Sequence, residues 1–139
     1  MSRTVHEKRW KGNPSSELTK DNENQFLGVV DNTGHLNNDM AATMVTLTDT
    51  ADLPIIGEYQ TYTDNKRVLI ESGYAVLQAS AAYTAADNGK GVLSTTTKGV
   101  VAAVTRVSAS AVTGVGRIVG GGTREVNNVT VNVYYVVDL

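Results

Sequence analysis

The chain contains no cysteine, and among its 139 residues there are only two prolines, one phenylalanine and one tryptophan. Without cysteine there is neither a disulfide framework nor a thiolate metal site. That absence fits a reducing cytoplasm or a particle assembled there. No apolar stretch approaches the roughly 20 residues of a membrane-spanning helix. Residues Met1 to Asn24 are too polar for a signal peptide. The reading is therefore a soluble protein, not exported by the general secretory route, with no membrane partner. No sign of charge prevails: the net charge is −2. The whole-chain field draws the protein to no polyanion, so no specific nucleic-acid partner is expected.

What the chain does have is twenty valines, seventeen threonines and thirteen glycines. β-branched residues favour strands, and glycines supply turns between them. The last eleven residues alternate: Val129, Val131, Val133, Tyr135, Val137 and Leu139 share one face, and Thr130, Asn132, Tyr134 and Asp138 the other, with Val136 breaking the pattern. A period of two is the side-chain period of a half-buried strand. Further strands are predicted at Phe26–Val30, Met40–Thr48, Leu53–Ile56, Tyr59–Thr63, Val68–Glu71, Tyr74–Ala79, Val92–Thr95, Gly99–Val107 and Val115–Val119. Thr84 is a candidate N-cap for one helical turn over Ala85 and Ala86, ended by Asn88-Gly89. Short strands at about ten-residue spacing predict an all-β fold, a small β-barrel or sandwich with that single helical turn. The core is expected to be thin, because large apolar residues are few.

Two regions separate by composition. Residues 1–25 are polar and charged, with Val5, Trp10 and Leu18 as the large apolar residues before Asn24, and show no period of 3.6 or 2. They are read as an extended N-terminal arm, and residues 26–139 as the β-domain. The arm's start, Arg3, His6, Lys8, Arg9, Trp10 and Lys11, combines positive charge with one aromatic ring. Arg3, Lys8, Arg9, Trp10 and Lys11 are the candidate partner-binding residues, with Trp10 as an anchor for a partner's pocket, against the plainer reading of a disordered tail. Single-strand nucleic-acid stacking is the weaker use of such a segment, because the acids from Glu17 onward oppose it. Burying Trp10 stabilises by about 4–6 kcal/mol, which offsets the ordering of only a few residues. A docked arm therefore needs backbone pairing or repeated copies as well.

Catalytic motifs do not assemble. Gly114-Val115-Gly116-Arg117-Ile118-Val119-Gly120 places its third glycine one position late for a dinucleotide fingerprint, and the chain beyond it is too short to complete a βαβ unit. Asn88-Gly89-Lys90-Gly91 reads as a turn. Asp49, Asp52 and Glu58 are the densest carboxylates and would be the pair of a glycosidase were there one. They flank Leu53-Pro54, where solvated acids are ordinary. His6 and His35 have no ligand partners at metal spacing. Asn128-Val129-Thr130 matches a glycosylation triplet but falls in the terminal strand. The expectation is a protein that is not an enzyme and uses no cofactor or metal. Tyr59, Tyr62, Tyr134 and Tyr135 are candidates for a stacking platform, against the ordinary use of tyrosine in cores.

One resemblance bears on function. Gly73-Tyr74-Ala75-Val76, the run Tyr83-Thr84-Ala85-Ala86-Asp87-Asn88-Gly89-Lys90-Gly91-Val92, the strand starting Gly99-Val100-Val101, a Gly-rich hairpin and a closing Val-x-Val strand share a cadence. With it, Glu71 to Leu139 resembles the small decoration, or cement, proteins of tailed-bacteriophage capsids. That resemblance implies a β-barrel-like virion protein on the capsid exterior, made in the host cytoplasm. It would bind major capsid protein subunits, bridge them and cluster as a homotrimer, with a terminal arm reaching neighbouring capsomers. It transfers no signature residue. The alternative reading is a receptor- or glycan-binding β-domain of a virion or cell surface.

Overall fold

Strand-forming segments become ten β-strands in the computed structural model, which describes residues 8–32, 44–64, 66–106 and 113–139. They are β1 (Arg9–Pro14), β2 (Leu27–Asp31), β3 (Met44–Thr46), β4 (Gly57–Tyr62), β5 (Val68–Glu71), β6 (Tyr74–Gln78), β7 (Gly91–Ser94), β8 (Val101–Val104), β9 (Arg117–Val126) and β10 (Val129–Val137). The all-β expectation holds. Strands β1-β3-β2-β4-β5 close a barrel, β6-β10-β9 form a second sheet and β7-β8 a two-stranded one. The predicted helical turn is a 3-10 turn at Ala85–Asp87. Asp87 Oδ2 accepts the Thr84 backbone N–H at 2.9 Å. A second such turn, at Lys20–Asn22, lies in the segment expected to be extended. Leu53–Ile56 forms no strand; it contributes an isolated bridge, Pro54 to Leu93. Pro54 has no N–H to donate to a longer ladder.

The N-terminal segment is not an arm over residues 9–25. β1 closes the barrel, antiparallel to β5 over Arg9–Gly12 and parallel to β3 at Asn13 and Pro14. Its outward residues Arg9 and Lys11 are exposed, Trp10 is half-buried and Gly12 buried. That is a period of two, written in charged residues and a glycine rather than in valines. The chain beyond Pro14 is fixed too. Leu18 is only 2% exposed within the barrel core. The Tyr59 hydroxyl donates to the Thr19 carbonyl at 2.6 Å, and Glu23 Oε2 accepts the Tyr62 N–H at 2.8 Å. Arg3 and His6 lie outside the described residues, as does His35.

Two cores result, dividing near Ser72-Gly73 rather than at residue 25. The barrel encloses Leu18, Leu27, Val29, Val45, Leu47, Tyr59, Val68 and Ile70, with Trp10, Ile56 and Tyr62 against them. The second core joins Ala75, Leu77, Val92, Val101, Ile118, Tyr134 and Val136 to Val30 and Ile55 from the barrel half. Backbone bonds stitch the halves: Gln78 N–H to the Phe26 carbonyl at 2.7 Å, and Gly28 N–H to the Gly99 carbonyl at 2.8 Å.

The glycines at 120–122 lie inside β9, which runs on to Val126. Aromatic rings occupy the space that side chains would take. A Cβ on Gly120 would lie 3.0 Å from the Tyr135 ring, and one on Gly121 would lie 2.5 Å from Tyr83 and 2.7 Å from the Val133 carbonyl. Gly121→Ala is therefore expected to destabilise by about 1–3 kcal/mol in urea unfolding, the usual cost of overpacking. Gly122→Ala meets only the Tyr135 hydroxyl at 3.5 Å and is expected to be milder. Equal costs for the two would contradict this packing.

Candidate docking surface

The longest strands build a ribbon that outruns its sheet. β9 pairs with β10 along its length, joined at Asn127-Asn128, where φ values of 50° and 65° fit a type I′ turn. β6 pairs with β10 only from Val133 to Val137. Beyond Val133, β10 has β9 as its strand partner and the hairpin projects as two strands. Residues directly opposite in an antiparallel ladder share a face. Val129 opposes Val126, and Val131 opposes Arg124, so this face is apolar towards the tip. The reverse face pairs Thr130 with Glu125 and Asn132 with Thr123. Thr130 Oγ1 donates to Glu125 Oε1 at 2.5 Å. Val129 is 61% exposed, more than the other exposed large hydrophobics, Val119 and Met44.

At the ribbon's base the same face carries an aromatic cluster. Tyr135 stacks on Tyr74 with centroids 6.3 Å apart and planes at 23°. The Arg124 guanidinium lies 5.2 Å from the Tyr135 ring centroid, a cation–π contact, and donates to the Tyr135 hydroxyl at 2.9 Å. The platform foreseen from Tyr59, Tyr62, Tyr134 and Tyr135 does not form. Tyr59 and Tyr134 are buried in separate cores. Burial pushes both phenols above their ordinary pKa. Tyr74 is the partner that sequence reasoning missed, and only the β6–β10 register reveals it.

The other candidates take different places. Arg9 pairs with Glu71 through Nε at 3.4 Å. Trp10 packs on the barrel core and its Nε1 is buried without a hydrogen-bond partner, so the ring plugs this protein rather than a partner's pocket. Lys8 and Lys11 are exposed. Asp49 and Asp52 are exposed while Glu58 is buried, so these acids share no common setting.

Glu58 instead stands directly opposite Glu71 on β5. The two are only 5% and 1% exposed. Glu58 Oε1 accepts the Val76 N–H at 2.9 Å, filling a donor on the edge of β6. Glu71 Oε2 accepts the Lys8 N–H at 2.6 Å and the Gly73 N–H at 2.9 Å. Burial first, then the neighbouring Glu71 charge, pushes Glu58 up to about 7, against the opposing pull of the Val76 N–H and Arg9. A general acid must reach its substrate, and this pair is covered. Among the described residues no group of three His, Asp or Glu could hold a metal ion. No protein-family model matches the chain, and no curated protein or solved structure matches it either.

Proposed function

We propose that the protein is a structural virion component that binds the outer surface of a phage capsid and stabilises the shell by bridging major capsid protein subunits, as a homotrimer. The projecting β9–β10 ribbon, apolar on one face towards its tip, carries this reading. A lone two-stranded ribbon is marginal in water, and laying its valine face on another protein supplies what it lacks. The ribbon belongs to the stretch whose cadence resembles capsid cement proteins. Lys8 and Lys11, exposed at the barrel's β1 end, offer a second, charged contact.

The test is co-sedimentation with mature and immature shells. Wild-type protein is expected to pellet with one or both. Val129→Asp is expected to leave the unfolding midpoint nearly unchanged, because the side chain is solvated, and to weaken shell binding by about tenfold or more. Unchanged binding by that variant removes the ribbon from the interface. Wild-type protein that pellets with neither shell defeats the whole reading. The Tyr74–Tyr135–Arg124 cluster favours a second reading, a receptor- or glycan-binding face, because aromatic rings with a cation suit sugar stacking. A glycan array blank for the free protein counts against it.

A further inference from the structure

We propose that the Glu58–Glu71 carboxyl pair is a proton-operated seam between the barrel and the β6–β10–β9 sheet, closed while Glu58 keeps its proton and loosened when that proton leaves. The inference is independent of the capsid reading.

The geometry carries it. Residues directly opposite across an antiparallel pair have Cβ atoms about 4.5–5.5 Å apart, so two buried carboxyls face each other at close range. Arg9, on β1, is the cation they share. Glu71 holds that ion pair and two backbone N–H groups, from Lys8 and Gly73. Glu58 holds one N–H, from Val76. On the remaining neighbours, β2 sets Gly28 opposite Glu58. β6 carries no acid or base beyond the Tyr74 phenol. Among the described residues, two charges of one sign facing the Arg9 cation in a dry site favour keeping a proton, and Glu58, with fewer donors, is the group that keeps it.

The position makes that proton consequential. The Val76 N–H lies on the edge of β6 that faces the barrel, so Glu58 stands in for a missing strand. An ionised Glu58 relieves its burial by turning towards water, and it takes the Val76 bond with it. The same turn between β5 and β6 receives both flanks of the described chain. Ser72 N–H donates to the Lys8 carbonyl at 2.9 Å, and Leu139 N–H to the Ser72 carbonyl at 2.9 Å. Opening at Glu58 is thus transmitted to the residues around Lys8 and Leu139.

The experiment is amide hydrogen exchange and carboxyl-carbon NMR titration on the full chain. Between about pH 6 and pH 8, the opening equilibrium of the Val76 amide, corrected for intrinsic exchange, is expected to rise by about tenfold. The Val92 amide, bonded to the Val115 carbonyl rather than to a carboxyl of the seam, is expected to stay level. Glu58→Gln, which keeps an acceptor for Val76 and cannot ionise, is expected to abolish the pH response. One of the two carboxyl carbons is expected to titrate near neutrality. The proposal is overturned if Val76 tracks Val92 across the range, or if both carboxyls titrate in the ordinary glutamate range. Should the variant fail to fold, the two wild-type measurements decide alone.

Discussion

A chain shortened to begin at Ser15 is expected not to close its barrel. β1 is held on both sides, by four residue pairs with β5 and by parallel pairing with β3. Removing it strips the Trp10 ring from the core and uncovers the edges beside Val45, Val68 and Ile70, each fully buried in the intact protein. Each such side chain contributes about 1.5–3 kcal/mol through burial. Natural domains have only about 5–15 kcal/mol in total, so losing several of these contacts is enough to unfold the barrel half. Near-UV circular dichroism and limited proteolysis would report the loss. An unaltered urea midpoint in the shortened chain would refute the placement of β1. Removing residues 1–7 leaves β1 whole and is the matching control. The distinction governs any test of a bridging leader: deletions must stop before Lys8, or they measure unfolding instead of docking.

Glu58→Gln is expected to gain stability relative to the wild type as pH rises. The folded protein keeps the Glu58 proton up to about 7, whereas the unfolded chain releases it near 4.5. Between those values folding must take up a proton, so the wild type loses stability with rising pH. The contribution is complete below about 4.5 and gone above about 7. The gap corresponds to about 3 kcal/mol. Glutamine does not titrate, and groups remote from Glu58 cancel in the comparison. The difference between variant and wild type in urea unfolding is therefore expected to grow by about that amount from pH 4 to pH 8. A difference that stays flat across the range would dismiss the raised affinity of Glu58 for its proton.

The chain's alternating valines make β10 and the all-β class legible, and Thr84 with Asn88-Gly89 marks the 3-10 turn. Other features are hidden for physical reasons. β1 alternates in burial over Arg9–Gly12, but its inward positions there are one tryptophan and one glycine, so hydropathy does not register it. The interior of β9 is glycine, where the apolar volume comes from Tyr83 and Tyr135 on other segments. The carboxyl pair is hidden by a bulge. The ladder starts with Tyr62 opposite Val68, and a register shift between Tyr59 and Thr61 brings Glu58, rather than Tyr59, opposite Glu71. Grouping acids by proximity in sequence selects Asp49 and Asp52 instead, which the fold leaves in solvent. Ladder register, not spacing along the chain, selects the neighbours of a strand residue. The Tyr74–Tyr135 stack obeys the same rule and escapes sequence reading for the same reason.

The parallel contact between β1 and β3 sets a timetable for synthesis. β1 leaves the ribosome before its partners, Met44–Val45 on one side and Val68–Glu71 on the other. At about 5–20 residues per second, translation supplies the second partner several seconds after β1 itself. During that wait a tryptophan-bearing segment has no home, and a charged outer face at Arg9 and Lys11 keeps it from sticking to neighbouring nascent chains. The barrel half can then mature before β6 emerges, while the other half stays open until Tyr134 and Val136 have been made.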